Sequence, residues 1–171
     1  DLVGDHREAA TGSAGPAAGF DPRTAIGALE LKNPVLTASG CAAAGRELGR
    51  IYDVAALGAV VTKSILRDAR SGRPTPRMAE TPSGMLNSIG LQGPGIDAFL
   101  AHDLPWLRDH GATAVVSIAG NDAAEFAELA GRLVDEPGVG AIEVNISCPN
   151  VANRGLVFAC DPGSSAEVVS G

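Results

Sequence analysis

The chain has no apolar run long enough to cross a bilayer, and no basic opening followed by an apolar block of the kind that directs secretion. A membrane partner is therefore not expected, and a soluble protein is. Basic residues are also in short supply: 13 Lys and Arg stand against 20 Asp and Glu, for a formal net charge of -7. Binding to a phosphate backbone is driven by clustered cations, so nucleic acid is not an expected partner either. Cysteine is scarce. Cys41, Cys148 and Cys160 form no close pair of metal-ligand type, and an odd count without a secretory segment argues for a reducing, cytoplasmic setting. No metal site is expected, and no Gly-x-x-x-x-Gly-Lys phosphate loop occurs.

What is present is a chain of 171 residues, 45% hydrophobic and 19% charged, which is enough for one domain with its own core. Residues 1–22 are rich in Gly and Ala and read as a flexible tail, and residues 23–171 as the folded part. The missing initiating Met, and a helix expected to begin just before Gly171, give the expectation of a piece of a longer protein.

Val35 to Gly40 reads as a first strand ending in small residues, which suit either a tight turn or the close approach of a flat ligand. Leu48, Ile51, Tyr52 and Ala55 recur at helical spacing, so Arg46 to Leu57 is predicted as an amphipathic helix stopped by Gly58. Ala59 to Thr62 is a second strand with Lys63 and Ser64 at its end; the lysine is either a surface residue or a fixed cation beside a ligand. Leu66 to Pro94 is predicted as a long loop, with a solvated basic part from Arg67 to Arg77 and a tail of amides and apolar anchors from Gly84 to Gly95. A helix from Ile96 to Leu107 is expected to kink at Pro105. Thr113 to Ala119 is a third strand, and Asn121 suits the N-cap of a helix carrying Phe126, Leu129, Ala130 and Leu133 on one face.

The fourth strand, Ala141 to Ile146, runs into Ser147-Cys148-Pro149-Asn150, where a proline forbids further ladder pairing. Short apolar strands alternating with helices are the signature of a parallel sheet, so the class is α/β. Each strand ends in a polar or glycine-containing cluster, and strand C-terminal ends are where such folds bind ligands. Cys148 is therefore the candidate catalytic residue. Gly93-Pro94-Gly95-Ile96-Asp97-Ala98 fits a dinucleotide fingerprint in form, but it follows a long loop instead of a strand. That leaves the first four β/α units of a (β/α)8 TIM barrel as the expected architecture.

Four motifs carry a family resemblance. Asn33-Pro34-Val35-Leu36-Thr37-Ala38-Ser39-Gly40, Val61-Thr62-Lys63-Ser64, Asn87-Ser88-Ile89-Gly90-Leu91-Gln92 and Asn145-Ile146-Ser147-Cys148-Pro149-Asn150 resemble class 1 dihydroorotate dehydrogenases, more the 1B branch than 1A. The resemblance implies an FMN-dependent barrel that oxidises dihydroorotate to orotate in pyrimidine synthesis. It implies Ala38, Ser39, Lys63, Ser64, Asn121 and Asn145 along the FMN. Lys63, Asn87, Ser88, Ile89, Gly90, Leu91, Asn145 and Asn150 would lie around the substrate, with Cys148 as the base. A homodimer and an iron-sulfur and FAD partner subunit that passes electrons to NAD are further expectations from the same source.

The residue types suit that chemistry. Forming the ring double bond removes a proton from one carbon and a hydride from its neighbour, which calls for a base on one side and a hydride acceptor on the other. A thiol, with a free pKa of about 8.5, can serve as the base. Asparagines offer a donor and an acceptor to a planar, amide-rich ring. Two departures stand out: Gly93 where the family usually has Asn, and Phe158-Ala159-Cys160-Asp161 in place of a Phe-Gly-Thr-Asp-like stretch. A flavin barrel acting on another dihydropyrimidine, and a catalytically silent remnant, are the alternative readings.

Overall fold

A computed structural model describes residues 19–148 and 157–171. The fold is α/β and is organised around a parallel sheet whose strand order follows the sequence. β1 (Thr24–Ile26) and β2 (Leu29–Leu31) form a small antiparallel hairpin. β3 (Val60–Val61), β6 (Ala114–Ile118) and β7 (Val139–Val144) then lie side by side and parallel. Buried Val60, Val116 and Ile118 supply the apolar, β-branched surface that such a sheet requires.

The expected first strand is reduced to one parallel bridge, Leu36 to Ala59. Thr37 explains the economy. Its hydroxyl accepts from the Val61 amide at 2.8 Å and donates to the Val61 carbonyl at 3.1 Å, so a side chain replaces the next rung of the ladder. The Gly58 amide donates to the Val35 carbonyl at 2.8 Å, and a Cβ on Gly58 would lie 2.1 Å from the Asn33 carbonyl oxygen. Gly58 is thus required by a close backbone approach, and not as the stop of a helix.

The predicted helix over Arg46 to Leu57 is absent. Two 3-10 turns, Leu48–Arg50 and Val54–Ala56, take its place. Gly45 is left-handed at φ 84, and Asp53 accepts from the Ala55 amide, which restarts the chain as a new capped turn. Gly49 fits beneath Trp106, where a Cβ would come within 2.8 Å of the ring. Ile51, on the supposed apolar face, is 85% exposed.

The expected long loop contains an antiparallel hairpin, β4 (Met78–Thr81) and β5 (Gly84–Asn87), exposed along its whole length. Its short strands and mixed polarity hid it from a periodicity reading. From α1 (Ile96–Ala98) the chain passes through a π-helical segment, Phe99–Asp103, into α2 (Leu104–Asp109). Pro105 lies in the first turn of α2, so the irregularity falls just before the proline. A widened turn there relieves the clash of the ring with the carbonyl four residues back. Ile96, Phe99 and Leu107 from this helical stretch are fully buried against the sheet.

α3 (Ala123–Leu133) buries Phe126, Leu129 and Leu133, as its spacing predicted. Its N-cap is Asp122, whose carboxylate accepts from the Glu125 amide at 2.9 Å; Asn121 precedes the cap. α4 (Pro162–Ser170) follows a 3-10 turn, Phe158–Cys160, whose Phe158 meets Phe126 edge-on with ring centres 5.8 Å apart. No helix among the described residues is long and apolar enough to cross a membrane. Of the expected tail, only residues 19–22 are described.

Two predictions follow from this packing. Gly58→Ala should cost about 1–3 kcal/mol by overpacking, read as a lower melting temperature, because the new methyl meets backbone; an unchanged melting temperature would mean the first strand segment can step aside. Asp161 caps α4, and its carboxyl is held below the ordinary 3.8 by hydrogen bonds from the Ser164 amide and then the Ser164 hydroxyl. The fold favours the anion, so the cap contributes fully above pH 3.8 and is lost as pH falls through the lower folded value. Asp161→Asn should flatten the fall in melting temperature on the acid side of pH 3.8, and an identical pH profile would contradict the assignment.

Candidate active site at the strand ends

The C-terminal ends of the bridge strand, β3, β6 and β7 point the same way, and the polar clusters named from the sequence lie there. β3 delivers its cluster through a bulge. Val60 and Val61 pair with Ala114 and Val115, but the next pairing is Ile65 with Ile118, one residue out of step. The amides of Thr62 and Ile65 donate to the carbonyls of Val115 and Ser117, so one extra residue is inserted between them. A bulge of this kind breaks the alternation and re-aims side chains.

Ser64, inside the bulge, is 2% exposed. Its hydroxyl accepts from Asn145 Nδ2 at 2.8 Å and shares a hydrogen bond of 3.0 Å with the Ser117 hydroxyl. Ser117 lies on β6 and its amide donates to the Thr62 hydroxyl at 3.1 Å. Three neighbouring strands are therefore joined at one level by buried hydroxyls and one amide. Asn145 continues the ladder by donating its own amide to Ile118 at 2.9 Å, while its Oδ1 accepts from Ser147 and turns the chain off the sheet. The Asn145 carboxamide is thus oriented at both ends. Ser117 was missed in the sequence; the available signal was a polar residue inside the apolar run Ala114-Val115-Val116-Ser117-Ile118.

Lys63, the other bulge residue, donates its amide to the Ala43 carbonyl at 2.8 Å. Its ammonium lies over Gly40, where a Cβ would be 3.6 Å from Nζ. No carboxylate among the described residues stands within ion-pair reach of it. The ammonium faces an open cleft of about 610 Å³ lined by Gly40, Ala43, Arg70, Ile89, Gln92 and Gly93. Ala43 is left-handed at φ 47, a backbone state that only a well-determined surrounding maintains in a non-glycine residue. Ser39 is half-buried and Ala38 exposed at the end of the bridge strand.

Cys148 is half-buried and packs against Leu66, Leu91 and Ala119, a small apolar cluster apart from the main core. The loop that brings Leu91 there is held from behind. The Arg73 backbone amide donates to the Ile89 carbonyl at 3.0 Å, and the Arg77 guanidinium bonds both the Ser71 carbonyl, at 3.1 Å, and the side chain of Gln92. The basic segment is exposed at Arg67, Arg70 and Arg73, as expected of a solvated part, and half-buried Arg77 is its brace on the loop. Arg67 likewise pairs with Glu125 at 3.2 Å, and its guanidinium is held above the usual range by Asp68 and then Glu125.

Other candidate residues are not brought into this group by any contact among the described residues. Asn121 is exposed, and both its amide and Nδ2 donate to Glu125 Oε2, at 2.7 and 2.8 Å. Asn87 ends the exposed β5 opposite Met78, and the Ser88 amide donates to the Arg77 carbonyl. Asn150 lies outside the described residues. At Gly93 an added Cβ would stand 3.9 Å from the Ser64 carbonyl, so nothing at that atom bars a larger residue.

A parallel α/β sheet in sequential order, with a lysine, an oriented carboxamide and a thiol at its C-terminal strand ends, belongs to the class of α/β proteins whose ligand sites lie at the strand ends. The chain belongs to the dihydroorotate dehydrogenase family, whose model matches residues 23–170. Its relatives include catalytic subunits of dihydroorotate dehydrogenase B (NAD(+)). That of Trichlorobacter lovleyi is 51% identical over 145 residues, covering 85% of this chain and 48% of the relative. That of Anoxybacillus flavithermus is 49% identical over 140 residues, covering 82% and 45%. That of Latilactobacillus sakei is 49% identical over 148 residues, covering 85% and 48%. The chain spans about half the length of the curated relatives it matches. The resemblance to the 1B branch is borne out.

One consequence is open to direct measurement. Ser64→Ala removes the hydroxyl shared by Asn145 and Ser117 and should cost about 1–3 kcal/mol in urea denaturation, because the buried Ser117 hydroxyl and the half-buried Asn145 carboxamide both lose a partner. A loss under about 0.5 kcal/mol, the range of a neutral surface change, would show that the shared hydroxyl does not hold the strand ends.

Proposed function

We propose that this chain supplies the base, part of the flavin cradle and part of the substrate loop of an enzyme that oxidises dihydroorotate to orotate. The observation that carries the reading is the placement of Cys148 at the end of β7, packed on Leu91 of the substrate loop, with Asn145 bonded to Ser64 at the strand end beside it. The sequential strand order favours a closed (β/α)8 barrel, of which this chain holds about the first four units. A doubly wound sheet would instead reverse its order at a switch point.

FMN is the cofactor the residues suit. Lys63 offers an ammonium without an acidic partner among the described residues, Gly40 leaves that ammonium uncovered, and half-buried Asn145 brings a carboxamide to the same level, oriented from behind by the buried Ser64 hydroxyl. Ala38 and Ser39 are small enough for a flat ring to approach the backbone. These groups suit the ring end of the cofactor. When bound, the flavin supplies the hydride acceptor.

The chain's own residues do the rest. Lys63 and Asn145 hold the ring edge of the substrate, the ammonium favouring its carboxylate and the carboxamide matching donors and acceptors. Asn87, Ser88, Ile89, Gly90, Leu91 and Asn150 form the loop side. The Cys148 thiolate takes the proton from the carbon next to the one that loses hydride, and the apolar wall around it limits competing water. Asn121, engaged by Glu125, is the weakest member of the cofactor set. The relatives' names, which print NAD(+) and a catalytic subunit, support a partner subunit that passes electrons to NAD; an iron-sulfur and FAD subunit in that role, and a homodimer of the catalytic chain in the cytoplasm, complete the reading.

Cys148→Ala in the full protein should slow dihydroorotate oxidation by about 10²–10⁴-fold at neutral pH, the usual contribution of a positioned base. The flavin absorption spectrum should be retained. Near-normal turnover would sink the base assignment.

A further inference from the structure

We propose that Leu91 is a positioning residue for the Cys148 thiol: with Leu66 and Ala119 it forms a dry wall that shields the sulfur from water and sets the direction it faces. The functional meaning rests on the reading of Cys148 as the base, while the shielding itself is a property of the fold.

The wall is assembled from four separate places. Leu66 follows the bulged end of β3, Ala119 is one residue past β6, Cys148 is four past β7, and Leu91 comes from the loop. Leu66, Leu91 and Ala119 are 8%, 2% and 0% exposed and form a cluster of their own, with Cys148 packed against it. A small apolar cluster among hydroxyls, amides and an ammonium is out of keeping with its surroundings unless the group it covers benefits from exclusion of water.

The backbone points the same way. Gly90 and Leu91 are both left-handed, at φ 79 and 52. Gly90 has no alternative, since a Cβ would lie 2.7 Å from Arg73 Cγ and 3.0 Å from the Arg73 amide nitrogen. Leu91 holds a backbone state whose ordinary occupant is glycine. The Leu91 side chain is 2% exposed inside the cluster against which Cys148 packs, so a backbone state unusual for leucine is matched by burial of the side chain beside the thiol. The Arg73 backbone amide on the Ile89 carbonyl pins the backbone before it, and the Arg77 guanidinium holds the Gln92 side chain after it.

Thiol accessibility tests this without recourse to turnover. The full protein and its Leu91→Ala, Leu91→Gly and Leu91→Met variants are treated with iodoacetamide, and modification of each cysteine is followed by peptide mass spectrometry. Exposed Cys41 and Cys160 serve as internal references. The Ala and Gly variants should raise the Cys148 rate by about fivefold or more, because alkylation follows thiolate access. Leu91→Met, which refills the wall, should stay within about twofold of the parent. Cys148 rates within that same range in the Ala and Gly variants would overturn the proposal. So would a rise in the Ala variant alone, since glycine relieves the backbone and the effect would then belong to strain. If the Leu91 variants do not fold, Ala119→Gly opens the same wall from β6 and is read by the same criteria. Faster alkylation with normal turnover of Cys148→Ala would sink the base assignment alone, and slow turnover with unchanged alkylation would sink this proposal alone.

Discussion

The buried hydroxyl of Ser64 is the constraint on which the strand ends depend. It sits in low dielectric with two polar neighbours, Asn145 Nδ2 and Ser117 Oγ, and leaving any of the three without a partner would cost more than the bonds themselves contribute. The register slip between Thr62 and Ile65 puts it there. A regular β3 would keep the alternation of the strand and send the neighbouring side chains elsewhere. The bulge therefore links a local backbone irregularity to the orientation of a carboxamide two strands away, and it leaves Lys63 directed to the cleft.

Around that level the molecule separates two kinds of interior. The main core lies between the sheet and the helices, where Phe99, Ile96, Leu107, Leu129 and Leu133 are fully buried, each such side chain contributing about 1.5–3 kcal/mol. The smaller cluster of Leu66, Leu91 and Ala119 lies at the strand ends, with Cys148 packed against it. The first gives stability and the second gives an environment. Both draw on the sheet, so the position of the thiol inherits the rigidity of β6 and β7, while the loop carrying Leu91 is held by arginines from its own connection.

Much of the architecture was legible in the residues. Apolar β-branched runs at Ala59 to Thr62, Thr113 to Ala119 and Ala141 to Ile146 mark strands because no helical period competes; the first two are buried almost throughout and the third is half-buried. The face of α3 was legible for the same reason. The stretch from Arg46 to Leu57 misled because its apolar spacing is helical, yet two glycines and the Asp53 cap outweigh propensity, and Trp106 needs the space that a helix would fill. Asn121 and Asp122 are adjacent and both good caps, and they are distinguished by the Glu125 backbone amide, which donates to Asp122, while Asn121 donates to the Glu125 carboxylate.

The sequence by itself determined the α/β class, the parallel sheet, the identity of the strand-end groups and, through its motifs, the family. These follow from local period and residue type, which act over a few positions. The tertiary structure decided which groups meet: Ser64 with Asn145 and Ser117, Leu91 with Cys148, Lys63 with an open cleft, and Asn121 with Glu125 instead of the other candidates. Those meetings depend on one inserted residue in β3 and on left-handed turns at Ala43 and Leu91. A one-residue register change and a change of sign in φ leave almost no trace in residue type, because the surrounding packing, and not the residue itself, selects them.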